Sequence, residues 1–444
     1  MSIAAVTTHH VRDHCLAPGR ADEPVYAGRY GRLFPDLPAL STEGAFLRML
    51  GRRGGACDGG LAADAGESDD AREAAGWPIF GQFVAHDITA DRSPVTMHAD
   101  PATIRNFRTP RANLECVYGG GPIGSPYLFD RDDNAKLLLG VDGADLPRNS
   151  QGVALVGDPR QDVHLFMAQL QLAMLKLHNL LVDRLRENGV PDAELFEEAR
   201  RATTWHYQWV VLHDFLPRVV GPALVEDLLV EGPLVFVTDD EPFIPFEFAD
   251  AAYRYGHSQI RHRYEIEGEQ VPLFPDLVGF HPIEHRVEWK TLFDLPGEAP
   301  AQRAKKIDGR LPRSLIELPL AIVGEAEDDL NSLAVRDLER GSGVGLPSGE
   351  AVARELGIAP LTPDELALPR EWVGETPLWY YLLKEAEARA NGDELGPSGA
   401  RIVGDVLVGI IESDPESFLS VDPNWHPSLG DGEFGIAELL TASD

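Results

Sequence analysis

Gly81-Gln-Phe-Val-Ala-His-Asp-Ile-Thr89 brings an amide, an imidazole and a carboxylate into one short stretch. On a helix, Gln82 and His86 stand four residues apart and share a face, while Asp87 points elsewhere. One short helix then offers Gln82 and His86 to a redox pocket and Asp87 to a cation. The alternative is a polar pair on an ordinary amphipathic helix. The preceding run, Asp70-Ala-Arg-Glu-Ala-Ala75, reads as helical.

Composition narrows the class. The chain has 444 residues and a formal net charge of -33, with 39 basic against 72 acidic side chains. Such a field repels nucleic acid and anionic membranes. Cys15, Cys57 and Cys116 are few and widely spaced, so neither a zinc site nor a disulfide framework is indicated. No apolar signal core is seen at the N-terminus, and apolar runs such as Val406–Ile411 fall short of a membrane span. A reducing cytoplasm is the expected setting, with export by another route left open. Oligomeric state is not readable.

Residues 1–74 read as an N-terminal arm with a Gly/Asp-rich loop at 51–70, and residues 75–444 as one catalytic domain. Helical spacing is clearest over 161–188, where Gly189 marks the stop. Further helices are expected at 43–50, 192–214, 246–264, 348–356, 363–367, 375–391 and 396–411, and near 312–340. Strand alternation is scarce. A mainly α fold with long loops and little β structure is the expectation.

Three further pieces carry chemistry. Gly157-Asp-Pro-Arg160 sets Arg160 at a loop-to-helix junction, where a guanidinium can donate to developing negative charge. In Ala251-Ala-Tyr-Arg-Tyr-Gly-His257, Gly256 admits a flat group and His257 can ligate iron axially; a buried structural His is the alternative. In Thr109-Pro-Arg-Ala-Asn-Leu-Glu115, alternation puts Thr109, Arg111, Asn113 and Glu115 on one side. Their oxygens, with Arg111 giving its backbone carbonyl, join Asp87 as the hard ligands calcium prefers. An edge strand with polar alternation reads the same way.

Together these pieces resemble the animal-type haem peroxidases, the superfamily of myeloperoxidase, thyroid peroxidase and cyclooxygenase, and within it the bacterial members. The order matches over roughly residues 75–420: GQFVAHD, the loop ending in Val117-Tyr118-Gly119, GDPR, the long helix with His178-Asn179, YRYGH, and Gly345-Leu-Pro347. The resemblance implies a distal site of His86, Gln82 and Arg160. It implies proximal iron ligation by His257 with Arg254 nearby, and calcium at Asp87, Thr109, Arg111, Asn113 and Glu115. The implied cofactor is haem b, and the implied partners are hydrogen peroxide and a small donor.

The chain also departs from that family. Its two haem-ester positions fall on Ala85 and Val163, and its methionine-link position on His164, so a non-covalent haem is expected. A shifted ester through Asp162 stays open. The family's proximal Asn falls on Asp337, whose carboxylate would strengthen imidazolate character on His257; alternatively Asp337 pairs with Arg336 or Arg340. The resemblance implies a haem peroxidase oxidising a small organic donor or a halide. A fatty-acid dioxygenase would place a tyrosine three residues before the proximal His, where Arg254 stands. A natural-product peroxygenase and a non-catalytic haem binder complete the alternatives.

Overall fold

The computed structural model describes residues 28–60, 70–90, 104–238, 242–279, 286–323, 330–430 and 434–442. The GQFVAHD stretch lies on helix Gly76–Ile88, which runs through the core. Of its residues only Gln82 and Ala85 are not buried. Trp77 and Phe80 pack edge-on or stacked against Phe215 and Phe293, with ring centroids 5.3–6.3 Å apart, the spacing at which aromatic pairs add to burial. At its first residue, Gly76, a Cβ would come within 2.4 Å of the Phe293 ring, so only glycine fits there.

The long helix Leu165–Glu187 packs antiparallel against Leu195–Val210. Between them Gly189 takes a φ of +82°, a left-handed turn that glycine enters without strain. By length and composition Leu165–Glu187 is apolar enough to cross a membrane, although most of it is buried in the core. Helices Leu378–Ala390 and Pro397–Glu412 pack together and against the segment carrying His257.

The fold is mainly helical, as expected, with short strands at its margins. They are β1 (Gly28–Gly31), β2 (Asp70–Ala74), β3 (Arg105–Asn106), β4 (Phe243–Pro245), β5 (Arg263–Ile266), β6 (Glu269–Pro272) and β7 (Arg303–Lys305). β1 pairs antiparallel with β3 and parallel with β4, so Gly28 faces Asn106 and Arg29 faces Phe243. β2 pairs with β7, and β5 with β6, both antiparallel.

Several elements differ from the sequence reading. Asp70–Ala74 is a strand, not a helix, because pairing with distant β7 overrides the local preference of Ala and Glu. The expected helix 246–264 is three pieces: a helical turn Phe246–Ala249, a 3-10 segment Ala252–Gln259, and β5. The break falls at Ala251, whose φ of −141° and ψ of −77° leave the helical region. The helix read near 312–340 is likewise broken into Arg313–Ile316, Leu320–Val323 and Leu333–Gly343.

The described residues before Ala75 contribute to the packing. Leu33, Phe34, Leu47 and Leu50 lie in the same core as the distal helix. Leu33 N–H donates to the Glu247 carboxylate at 3.1 Å, and Arg32 donates to the Val344 carbonyl. Of the loop read over 51–70, residues 61–69 lie outside the described residues.

Candidate active site

The GQFVAHD helix, the Arg160 loop and the YRYGH segment converge on one cavity of about 400 Å³. Gln82, Ala85, His86, Arg160 and His164 line it, as do Arg254, Gly256 and His257. That volume is in the range of cofactor pockets. A wider cleft of about 720 Å³ lies elsewhere, beside Lys176, Arg286 and Lys290, and no histidine lines it among the described residues.

The protonation pattern of His86 follows from its neighbours. His86 Nδ1 lies 2.8 Å from Gln161 Oε1, and Gln161 Nε2 donates to Gln171 Oε1 at 3.2 Å and to Cys116 Sγ at 3.3 Å. With its amide nitrogen committed there, Gln161 presents only its oxygen to His86. Nδ1 therefore carries the proton and Nε2 is the bare acceptor. Burial, and then the Arg160 charge, push His86 down to about 3, so it is neutral at pH 7.

Arg160 is held by Asp158 and by the end of the distal helix. Its Nε donates to Asp158 Oδ1 at 3.1 Å, and its Nη2 to Asp158 Oδ2 at 3.0 Å, to the His86 carbonyl at 2.9 Å and to the Thr89 carbonyl. Buried Arg108 bonds the same carboxylate through Nη2 and Nε. Burial works to raise the Asp158 carboxyl, but the two guanidiniums hold it well below the usual carboxylate range.

His257 Nδ1 lies 2.6 Å from Asp337 Oδ2, which leaves Nε2 for the cavity that His257 lines. Asp337 Oδ1 accepts from Arg254 Nη1 at 2.9 Å, and Arg254 Nη2 donates to Asp250 Oδ1 at 3.1 Å. Arg254 Nε donates to the Ala249 carbonyl at 3.0 Å, tying the 3-10 segment to the turn before it. Burial raises the Asp337 carboxyl, but His257 and Arg254 outweigh it and lower it. Asp337 thus pairs with His257 and Arg254, while Arg340 bonds Asp250.

These residues fit a haem. His86 and His257, each with Nδ1 already bound, line the cavity together with Ala85 and Gly256. A Cβ added to Gly256 would meet only Pro78, at 3.8 Å. An ester through Asp162 does not fit, since Arg148 donates to both of its oxygens, at 2.7 and 2.8 Å.

The calcium set is brought together, but its members are unequal. Asp87 accepts from Leu114 N–H at 2.9 Å and Cys116 N–H at 3.4 Å. Burial raises its carboxyl to about 7, against the pull of those N–H groups and of Arg108. Asn113 and Thr109 bond each other at 3.1 Å, and Thr109 Oγ1 donates to Glu115 at 3.0 Å. Glu115 is already paired with Arg108 at 2.9 Å, and the Arg111 side chain with Asp414 at 3.2 Å. Both Asp87 oxygens thus accept backbone N–H groups, and Glu115, held by Arg108, fits a cation poorly. Among the described residues no three acidic, His or Cys side chains converge as a metal cluster.

Sequence reasoning missed Gln161, His164 and Arg108 as parts of the site. Gln161 directly follows Arg160, and adjacency to GDPR is its only signal. Arg108 precedes the loop read for calcium. His164 had been considered only as a lost covalent link.

With the site in view, the family can be stated. Residues 98–348, more than half of the chain, match the animal haem peroxidase profile, and the chain belongs to that family. It is 27% identical over 347 residues to the chorion peroxidase of Drosophila melanogaster, covering 73% of this chain and 40% of that one. It is 23% identical over 388 residues to peroxidase skpo-1 of Caenorhabditis elegans, covering 73% and 56%. The chain thus spans about half or less of the length of these relatives. In structure it is similar to peroxidase A from Dictyostelium discoideum, with a TM-score of 0.64, 13% identity, and 94% and 92% of the two chains covered. A fatty acid alpha-dioxygenase of Arabidopsis thaliana gives the same TM-score at 14% identity, covering 89% and 74%.

Proposed function

We propose that this chain is a haem-dependent peroxidase that reduces hydrogen peroxide and oxidises a small organic donor or a halide. The observation that carries this is that His86, its Nδ1 held by Gln161, and His257, its Nδ1 held by Asp337, line one cavity together. Haem, when bound, would supply the redox chemistry, and His257 would hold its iron. His86 Nε2 takes a proton from hydrogen peroxide and returns it to the leaving oxygen. Two electrons from the donor and two protons complete the conversion of peroxide to two waters. Arg160, fixed by Asp158, donates to the charge that builds on the departing oxygen.

An absorption spectrum of the purified protein, before and after hydrogen peroxide, tests the reading. A Soret band that changes on adding peroxide is expected; no Soret band, or one indifferent to peroxide, overturns it. His86→Leu should slow the peroxide step about 10²–10⁴-fold, the usual contribution of a positioned proton carrier. The haem is non-covalent in this reading, since Ala85 and Val163 have no carboxylate and Arg148 occupies Asp162. Acidified organic solvent should extract it completely.

The dioxygenase reading has one point in its favour, the structural likeness to fatty acid alpha-dioxygenases. Against it, the position three residues before His257 is Arg254, whose guanidinium is spent on Asp337 and Asp250. Oxygen uptake with linoleate separates the two; none is expected.

A further inference from the structure

The distal amide is oriented by a residue outside the motifs. Met167 N–H donates to His164 Nδ1 at 3.1 Å, where His164 caps helix Leu165–Glu187. A backbone N–H can only donate, so Nδ1 is the acceptor and the ring proton sits on Nε2. His164 Nε2 lies 2.9 Å from Gln82 Oε1. That contact is a hydrogen bond only if the Gln82 oxygen, not its nitrogen, turns toward His164. Burial pushes His164 down to about 4, which keeps one proton on the ring at neutral pH. Gln82 and His164 both line the cavity, and among the described residues no protein acceptor receives the Gln82 amide nitrogen.

We propose that His164 is a positioning residue that locks Gln82 with its amide NH₂ turned into the cavity. The inference rests on the peroxidase reading only for the identity of the bound group. The cavity then has opposite polarities on one wall: His86 Nε2 accepts, and Gln82 Nε2 donates. An anion or hydroperoxide beside the metal position meets a donor at Gln82. Without His164 the amide is free to turn, and half of its orientations present an oxygen that repels an anion. The helix cap and the distal amide are therefore coupled through one imidazole.

Fluoride titration of the ferric, haem-loaded protein tests this, with affinity and the charge-transfer band of the fluoride adduct as readouts. Gln82→Leu should weaken fluoride about tenfold, the worth of one hydrogen bond to a charged acceptor, and His164→Phe by a smaller factor of about two or more, since the freed amide still donates in part of its orientations. The double variant should be no weaker than Gln82→Leu alone, because the two residues act through one bond. His164→Gln keeps a donor near the place of Nε2 and should recover most of the affinity. Wild-type affinity in His164→Phe, or additive losses in the double variant, overturns the proposal. Should His164→Phe take up no haem, nitrogen NMR of wild-type protein labelled at histidine reads the tautomer directly. An Nε2-protonated, neutral His164 at pH 7 upholds the proposal, and an Nδ1-protonated or doubly protonated ring overturns it. Absence of a Soret band in wild type counts against the peroxidase reading alone, since the tautomer is still measurable.

Discussion

At the scale of single residues, the proximal wall carries the sharpest expectation. Asp337 is shared between an imidazole and a guanidinium, at 2.6 and 2.9 Å. Its charge is therefore divided, and His257 gains less anionic character than an unshared carboxylate would give. Asp337→Asn should raise the iron reduction potential of the haem-loaded protein. Arg254→Gln, which returns the whole charge to His257, should lower it. Spectroelectrochemical titration reads both, and shifts of the same sign would refute the sharing argument. Asp337→Ala removes the buried acceptor shared by half-buried Arg254 and His257 and should cost about 1–3 kcal/mol in unfolding experiments. This carboxylate was legible by counting back from Gly345-Leu-Pro347, because the motifs fix the register. Gln161 and His164 were not, since hydrogen-bonding partners of site residues obey geometry and no spacing rule.

At the scale of elements, the distal helix depends on contacts its own sequence does not display. Gly76 looks like a helix-weakening residue, yet the Phe293 ring, far along the chain, requires it. Gly76→Ala should lower stability by about 1–3 kcal/mol, the usual cost of overpacking, despite the better helix propensity of Ala; a calorimetric melt checks this. The same non-local logic explains β2, whose residues favour a helix until β7 arrives as partner. Helices with a clear stripe and a stop were read within a few residues, as at Leu165–Glu187. Helix Gly76–Ile88 carries Asp87 next to its last residue, where pH enters. Its carboxyl is raised to about 7, chiefly by burial, so it is protonated below that value in the fold and charged above it. In the unfolded chain it ionises near the ordinary value of about 4. The buried charge therefore costs stability as pH rises through about 7, and a bound cation offsets that cost. Added calcium should raise the melting temperature more at pH 8 than at pH 6, where protons compete for Asp87. A calcium effect that is absent, or equal at both pH values, would remove the cation from this site.

At the scale of the whole molecule, charge sets which donors arrive quickly. A net charge of -33 surrounds a cavity whose inner walls carry Arg160 and Arg254. The far field attracts cations and repels anions over about 10 Å at 0.1 M salt. Only an anion that has crossed that field meets the guanidiniums and the donor amide. On the proposed peroxidase reading, halide oxidation would be limited by approach more than by binding. A cationic aromatic amine should be oxidised fastest at low ionic strength and slow down as salt is added. A halide should show the opposite trend, speeding up as the field is screened, and an uncharged phenol should change little. The three slopes of log kcat/KM against ionic strength, measured with an inert salt at one pH, check this. Equal slopes for all three would show that the local positive walls, and not the acidic surface, govern access to the cavity.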